Sequence, residues 1–481
     1  MTPNLTELMT LDIRQFFQVT NPGKALNLND ETDRKYYIDF SSVRGGQMIA
    51  ELRDNITFFS PDEPTCELFT GHIGCGKSTE LMRLRMELEE EGFYVVYFES
   101  SEDLEMGDVD ISDILLAIAR RVSESLESLE QVQVKEPKGL KDLLKGAAKL
   151  LQTEITLSGE ASLPGIGTVS GNTDGDFSAE VGLPGIGKVT ASKEEGIAFV
   201  ATGIGKIAAN VKDSPEARSR LRQYLEPQVN RLMEVINEEL LGPAIDSLKT
   251  QGKNGLVVIV DNLDRLDSSQ KPWGRPQPEY LFVDRGAQLR GLHCHSIYTL
   301  PLALRFSNDY SRLTQRFSAD PKVLPMVPIQ LRNGDDHQLG MAMLRQMVLA
   351  RAFPDLSPEE RMDRVEEVFD DTETLDRLCR ASGGHARNLL RFLNTWIKKE
   401  RKIPLSKEGL EGVIRARRNE LSLTVSDDEW ELLRQVKQSK RVAGDADYQT
   451  LIRSMLVYEY RDEDGSWFEV NPILAEAEEL R

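Results

Sequence analysis

Read for the spacing of apolar and polar positions, the chain alternates between two periods. Short, largely apolar runs at Cys66-Glu67-Leu68-Phe69-Thr70, Phe93 to Phe98, Leu256 to Val260 and Ser296 to Thr299 predict buried strands. Helical stripes run between them. Thr79 to Glu91 carries Leu81, Leu84 and Leu88 on one face, and Asp110 to Leu129 carries Ile114, Leu115, Ile118 and Val122. Pro215 to Leu248 and Pro278 to Leu289 also read as helix. Strand and helix in alternation predict an α/β core with a mostly parallel, doubly wound sheet.

The flanks differ. Residues 1–60 form a lead-in, with a helical patch at Leu11 to Phe17, an extended segment at Tyr36 to Phe40, and a helix from Arg44 to Ile56 with Met48, Leu52 and Ile56 spaced by four. This segment either packs beside a bound base or covers the sheet as a plain amphipathic helix. Asp335 to about Leu421 is helical with little strand signal. Asp428 to Gln438 and Tyr448 to Leu456 then read as helices before two short strands, Val457 to Tyr460 and Ser466 to Val470, which is a winged-helix order. The domains are therefore expected at 61–330 (core), 331–421 (helical lid) and 422–481 (winged helix).

Residues 131–212 break the alternation as an insertion into the core. Leu163-Pro164-Gly165-Ile166-Gly167 recurs as Leu183-Pro184-Gly185-Ile186-Gly187, and Phe177, Ala179, Val181 and Leu183 alternate with smaller or polar residues. With turn chemistry at Asn172 to Gly175, the repeat predicts a β-hairpin arm. Gly196 to Val211 adds an apolar stretch rich in glycine and alanine. A surface insertion, an oligomerisation or partner-binding arm, and a membrane-active hairpin all fit this pattern.

Composition narrows the class. At 481 residues the chain has room for two to four domains, and its 79 acidic against 59 basic side chains give a net charge of −20. That balance argues against indiscriminate binding to nucleic acid or anionic membrane. The four cysteines show no paired spacing, no run of eighteen apolar residues is present, and the first residues lack a secretion-signal pattern, so a cytoplasmic protein is expected.

The chemistry concentrates at Thr70-Gly71-His72-Ile73-Gly74-Cys75-Gly76-Lys77-Ser78-Thr79, which matches GxxxxGKS between a strand and a helix. Gly71, Gly74 and Gly76 let backbone N–H groups, Cys75 and Thr79 among them, curl around phosphate oxygens at a helix N-terminus. Lys77 is placed to reach β- and γ-phosphates, and the Ser78 hydroxyl to sit on Mg²⁺. These features predict binding of a nucleoside triphosphate. Asp261, directly after the Leu256 to Val260 strand, is placed to hold Mg²⁺. Asn262 follows it where strongly hydrolytic proteins of this class carry an acid. Asp264 is then the nearest carboxylate able to polarise water, which predicts slow hydrolysis. Arg316 is a candidate to reach a neighbouring subunit's γ-phosphate, and Arg387, in Ser382-Gly383-Gly384-His385-Ala386-Arg387, to touch the triphosphate from the lid. His293-Cys294-His295 has alternating ligand types but no partner cluster, and predicts no metal site.

Together, Gly71 to Ser78, Asp261 to Asp264, Gln315-Arg316-Phe317, the Ser382 to Arg387 segment and the winged helix resemble the AAA+ ATPases. The likeness is to the branch shared by origin-recognition initiators and STAND signalling NTPases. It covers roughly residues 36–130 and 213–475. It implies ATP as the nucleotide, Arg387 in a second sensor motif, Thr299 in the first, and homo-oligomers that assemble with ATP. The absence of a guanine-reading Asn/Thr-Lys-x-Asp motif agrees with ATP. Asn262, the 131–212 insertion and the weak match at Thr299 depart from the pattern. From Leu421 to Arg481, seven basic residues stand against fourteen acidic ones, with Asp462, Glu463 and Asp464 at the wing tip. This favours a slowly hydrolysing switch, of signalling or bacterial-defence type, over a DNA-bound initiator-like ATPase or a chaperone-like remodeller. Its effector or sensor would be another chain or the inserted arm.

Overall fold

The computed structural model describes residues 11–127, 129, 137–157, 197–212, 214–444 and 446–481. The LPGIG repeat and its expected hairpin lie outside the described residues. Five strands, β1 (Cys66–Gly71), β2 (Tyr94–Glu99), β3 (Leu256–Asp261), β4 (His295–Leu300) and β5 (Lys322–Leu324), form one sheet in the order β2-β3-β4-β1-β5. Every pairing is parallel. The glycine-loop strand β1 and the Asp261 strand β3 are thus separated by β4. Both empty at the same carboxyl edge, where an open α/β sheet binds its ligand.

Helices cover both faces because every strand residue from Leu256 to Val260 is buried and successive side chains point opposite ways. Val258 and Val260 meet the helix Ile111–Glu127, and Val257 and Ile259 meet the helices Met48–Asp54 and Lys77–Glu90. Leu81, Leu84 and Leu88 are fully buried on the latter. Each is worth about 1.5–3 kcal/mol relative to exposure.

The structure corrects the lead-in and the insertion. The expected helix at Arg44 begins at Met48, because Gly45 and Gly46 turn the chain first with positive φ. Tyr36 to Phe40 joins no strand. Within 131–212, Lys138–Leu157 and Ile197–Lys212 are helices. Leu140, Leu143, Leu144, Val200, Ile204 and Ile207 are buried in the same cluster as Val258, so these parts belong to the core.

The lid consists mainly of helices Gln338–Ala352, Thr372–Ser382, Ala386–Glu400 and Lys407–Ser422, packed around the fully buried Trp396. Beyond it come helices Asp427–Ser439 and Ala446–Arg453, then an antiparallel hairpin of β6 (Val457–Asp462) and β7 (Gly465–Val470). The hairpin has two apolar faces. Val457, Phe468 and Val470 pack on its own helices, whereas Tyr458, Tyr460 and Trp467 join Leu324 and Met326 beside the sheet. The Met326 N–H donates to the Glu459 carbonyl at 2.9 Å. Among the described residues no helix is long and apolar enough to cross a membrane.

Candidate nucleotide site

The turn between β1 and the helix Lys77–Glu90 creates the site. Gly76 precedes that helix in a left-handed conformation, which turns its first N–H groups toward the carboxyl edge of the sheet. A cleft opens there between three parts of the chain. Lys24, Leu26, Tyr36, Tyr37, Ile38, Phe40 and Arg44 come from the lead-in. Ile73 to Glu80, Glu99, Asn262, Asp264 and Arg265 come from the core, and Met347, Arg351, Ala386, Arg387 and Leu390 from the lid. One end is apolar and aromatic, and the glycine-loop end is rich in cations.

Lys77 bonds inward. Its Nζ donates to the carbonyls of Gly71 and His72 at 2.9 Å each and pairs with Asp264 Oδ2 at 2.9 Å. Both side chains are only 4% exposed, so each charge depends on the other. Burial alone would lower the lysine pKa, but Asp264, with further help from Asp261, outweighs it and holds the ammonium above its ordinary value. Asp264 Oδ1 is buried without a hydrogen-bond partner among the described residues. The carboxylate expected to polarise water is therefore the one that holds the lysine.

Asp261 is buried at the end of β3. Its Oδ2 accepts from the Tyr97 hydroxyl at 2.8 Å, and its Oδ1 from the Asn262 N–H at 2.6 Å. The Ser78 hydroxyl lies close to the same phenol, which stands beside both residues expected to hold the metal. Burial, then Asp261, push the Tyr97 pKa far up and keep the phenol protonated. Asn262 takes a left-handed φ of 66° and donates its amide to Glu99 Oε2 at 2.6 Å. Thr79 Oγ1 accepts the Leu26 N–H at 3.5 Å, tying the lead-in to the loop, and Cys75 is buried with Sγ 3.6 Å from the Leu324 carbonyl. Thr299 lies in β4 opposite Phe69, its buried hydroxyl lacking a partner among the described residues.

The lid and the C-terminal hairpin both grip the glycine loop. The Arg387 N–H donates to the Gly74 carbonyl at 3.1 Å. His385 caps its helix by accepting the Asn388 N–H on Nδ1 at 2.9 Å, which puts its proton on Nε2; that Nε2 donates to the Ile73 carbonyl at 2.8 Å. His72 Nε2 accepts the Glu459 N–H of β6 at 3.0 Å. The Tyr458 ring stacks on His385 and meets His72 edge-on, with centroids 5.8 Å apart in each case. Its hydroxyl accepts from Asn388 at 2.8 Å and Asn471 at 3.0 Å. Burial, reinforced by His385 and Lys77, lowers the His72 pKa to about 3. Burial, with Arg387 and Lys77 adding to it, lowers that of His385 to about 4.

Glycine is required where these parts meet. A Cβ on Gly74 would stand 2.8 Å from His385 Cε1 and 2.9 Å from Arg387 Cβ, at a φ of +87°. One on Gly384, at φ +71°, would lie 1.7 Å from the Val327 carbonyl oxygen.

The structure brings Gly71, Gly74, Cys75, Gly76, Lys77, Ser78, Thr79, Asp261, Asp264 and Arg387 to one place. Arg316 is elsewhere, exposed on the helix Tyr310–Phe317, with no ion pair among the described residues. Sequence reading missed Arg44, Tyr97, Glu99, Arg265, Arg351 and the two histidines. Glu99 carried a signal, as the acid that ends an otherwise apolar strand. The oxygen donors of Ser78 and Asp261, with the orphaned Asp264 oxygen nearby, suit a hard divalent cation such as Mg²⁺.

No family model and no curated protein matches this sequence. Among solved structures, the ORC2 protein of Aeropyrum pernix in its ADPNP–ADP complexes is similar over 93% of this chain and 94% of that one, at 14% identity and a TM-score of 0.37. Its ADP form is similar over 94% of each chain, at 13% identity and a TM-score of 0.36. Likeness this loose assigns no function. The parallel sheet order, the loop after β1 and the aspartate after β3 define the class: a P-loop NTPase core carrying a helical lid. Within that class the residues of the cleft are what distinguish this chain.

Proposed function

We propose that this chain is an ATP-binding, slowly hydrolysing switch of AAA+ type whose nucleotide state sets the position of the lid and the C-terminal hairpin. One observation carries the reading. The glycine loop bonds the lid through Ile73 and Gly74 and the hairpin through His72, so a triphosphate entering the loop acts on both. Gly71 to Thr79 would cradle the phosphates. Lys77 would leave the Gly71 and His72 carbonyls for the β- and γ-phosphates, and Arg387 would meet them from the lid. Ser78, backed by Asp261, would hold Mg²⁺, which neutralises phosphate charge when bound. Tyr36, Ile38, Phe40 and Leu390 offer an apolar seat for a purine.

In this reading ATP releases surface for self-assembly, and exposed Arg316 serves a neighbouring copy's γ-phosphate. A signalling role, bacterial defence included, fits such a switch, with an effector or sensor in another chain. The excess of acid in the C-terminal segment favours it over DNA loading, and Asp462 there is held by Arg332 at 2.7 Å. The test is the solution mass and the mobility of duplex DNA at physiological salt, measured without nucleotide, with ADP and with a non-hydrolysable ATP analogue. A defined oligomer with the analogue alone, and no DNA shift, is expected. One mass in all three states would refute the assembling switch, and a DNA shift would favour the initiator-like alternative.

A further inference from the structure

We propose that Glu99, at the end of β2, is the general base for hydrolysis at this site, and that Asn262 positions it. The proposal rests on the nucleotide reading above and names the group that would take the water's proton.

The residue that follows Asp261 is Asn262, whose amide accepts no proton at neutral pH. Asp264, the nearest acid downstream, is only 4% exposed and has Oδ2 committed to Lys77 at 2.9 Å. Glu99 has neither handicap. It pairs in register with Asp261 across β2 and β3, so the two backbones end level at the carboxyl edge of the sheet. It lines the cleft with Gly76, Lys77 and Ser78 and forms no ion pair among the described residues. Its Oε2 accepts the Asn262 amide at 2.6 Å, and its Oε1 has no hydrogen bond among the described residues. Asn262 makes this bond from a left-handed backbone, at a φ of 66°.

The step balances without a further reactant. Water oxygen attacks the γ-phosphorus while Glu99 Oε1 takes a water proton. The bond from γ-phosphorus to the bridging oxygen breaks, its electron pair staying on the β-phosphate of ADP. Phosphate and ADP leave, and Glu99 returns the proton to solvent.

Glu99→Gln separates this role from a structural one, because the glutamine carbonyl still accepts from Asn262 while losing basicity. In the full chain with Mg²⁺, binding of a fluorescent ATP analogue and single-turnover hydrolysis of ATP are measured side by side. Expected is undiminished binding with hydrolysis slowed at least about 100-fold, the range for a lost general base. Parental hydrolysis by the variant, or loss of its binding, would overturn the base role and leave the nucleotide reading standing. So would a parent chain that binds ATP and never hydrolyses it. A parent that does not bind ATP would overturn both.

Discussion

Replacing Tyr458 with phenylalanine removes one oxygen from the junction of hairpin, lid and glycine loop and leaves the apolar ring. Two donors lose their acceptor, Asn388 Nδ2 at 2.8 Å and Asn471 Nδ2 at 3.0 Å. Neither is left wholly stranded: Asn388 is half-buried, and Asn471 Nδ2 keeps the Met455 carbonyl at 3.0 Å. The loss is then about 1 kcal/mol per bond, about 2 kcal/mol together. That weakens docking about 30-fold. Amide hydrogen exchange reads this directly, since the Glu459 N–H is held by His72 and the Met326 N–H by the Glu459 carbonyl. Both amides should exchange about 30-fold faster in the variant, while Val258 and Ile259 in the centre of the sheet keep their rates. Unchanged exchange at Glu459 would refute the reasoning. So would acceleration spread evenly over the sheet, which would mean general destabilisation.

Lys77→Ala should abolish binding of a fluorescent ATP analogue. It should also lower thermal stability, because Asp264 is left buried without its cation at a cost of about 3–5 kcal/mol. Gly74→Ala should impair nucleotide binding and loosen the lid, read by the same titration and by exchange at the Arg387 amide, because its Cβ meets His385 and Arg387. Acid should undock the hairpin. The His72 and His385 pKa values, about 3 and about 4, lie below the unfolded value of about 6.5. Their contribution is therefore complete above about pH 6.5 and is lost as pH falls toward the folded values, about 2 kcal/mol for each by pH 5. Exchange at Glu459 should rise across that window, and a flat profile would count against it. Arg316→Ala should leave ATP binding intact and reduce only hydrolysis that depends on protein concentration, measured by turnover at several concentrations.

The core and its phosphate loop were legible because their signals are local. GxxxxGKS needs eight neighbouring residues, and β3 announces itself as five consecutive buried apolar side chains. What was missed depends on distant parts of the chain. Three-residue β5 is too short for a period, and exists because β1 offers it an edge. Glu99 and Asn262 become partners only through the register of β2 on β3. Gly196 to Val211 read as part of a loose insertion because glycine disfavours helix. Burial of Val200, Ile204 and Ile207 against the core overrides that local preference.

The hydrogen bond between His72 and the Glu459 N–H spans 387 positions. It also has a consequence for the order in which the protein is made. Synthesis runs from the amino end, so the phosphate loop and its strand leave the ribosome long before the hairpin exists. Tyr458, Tyr460 and Trp467, which complete the apolar layer beside Leu324 and Met326, follow only after the core and lid have been made. Each new molecule therefore carries its glycine loop without the hairpin while those 387 positions are added. The first nucleotide it meets finds a loop that the C-terminal segment has not yet had the chance to fasten.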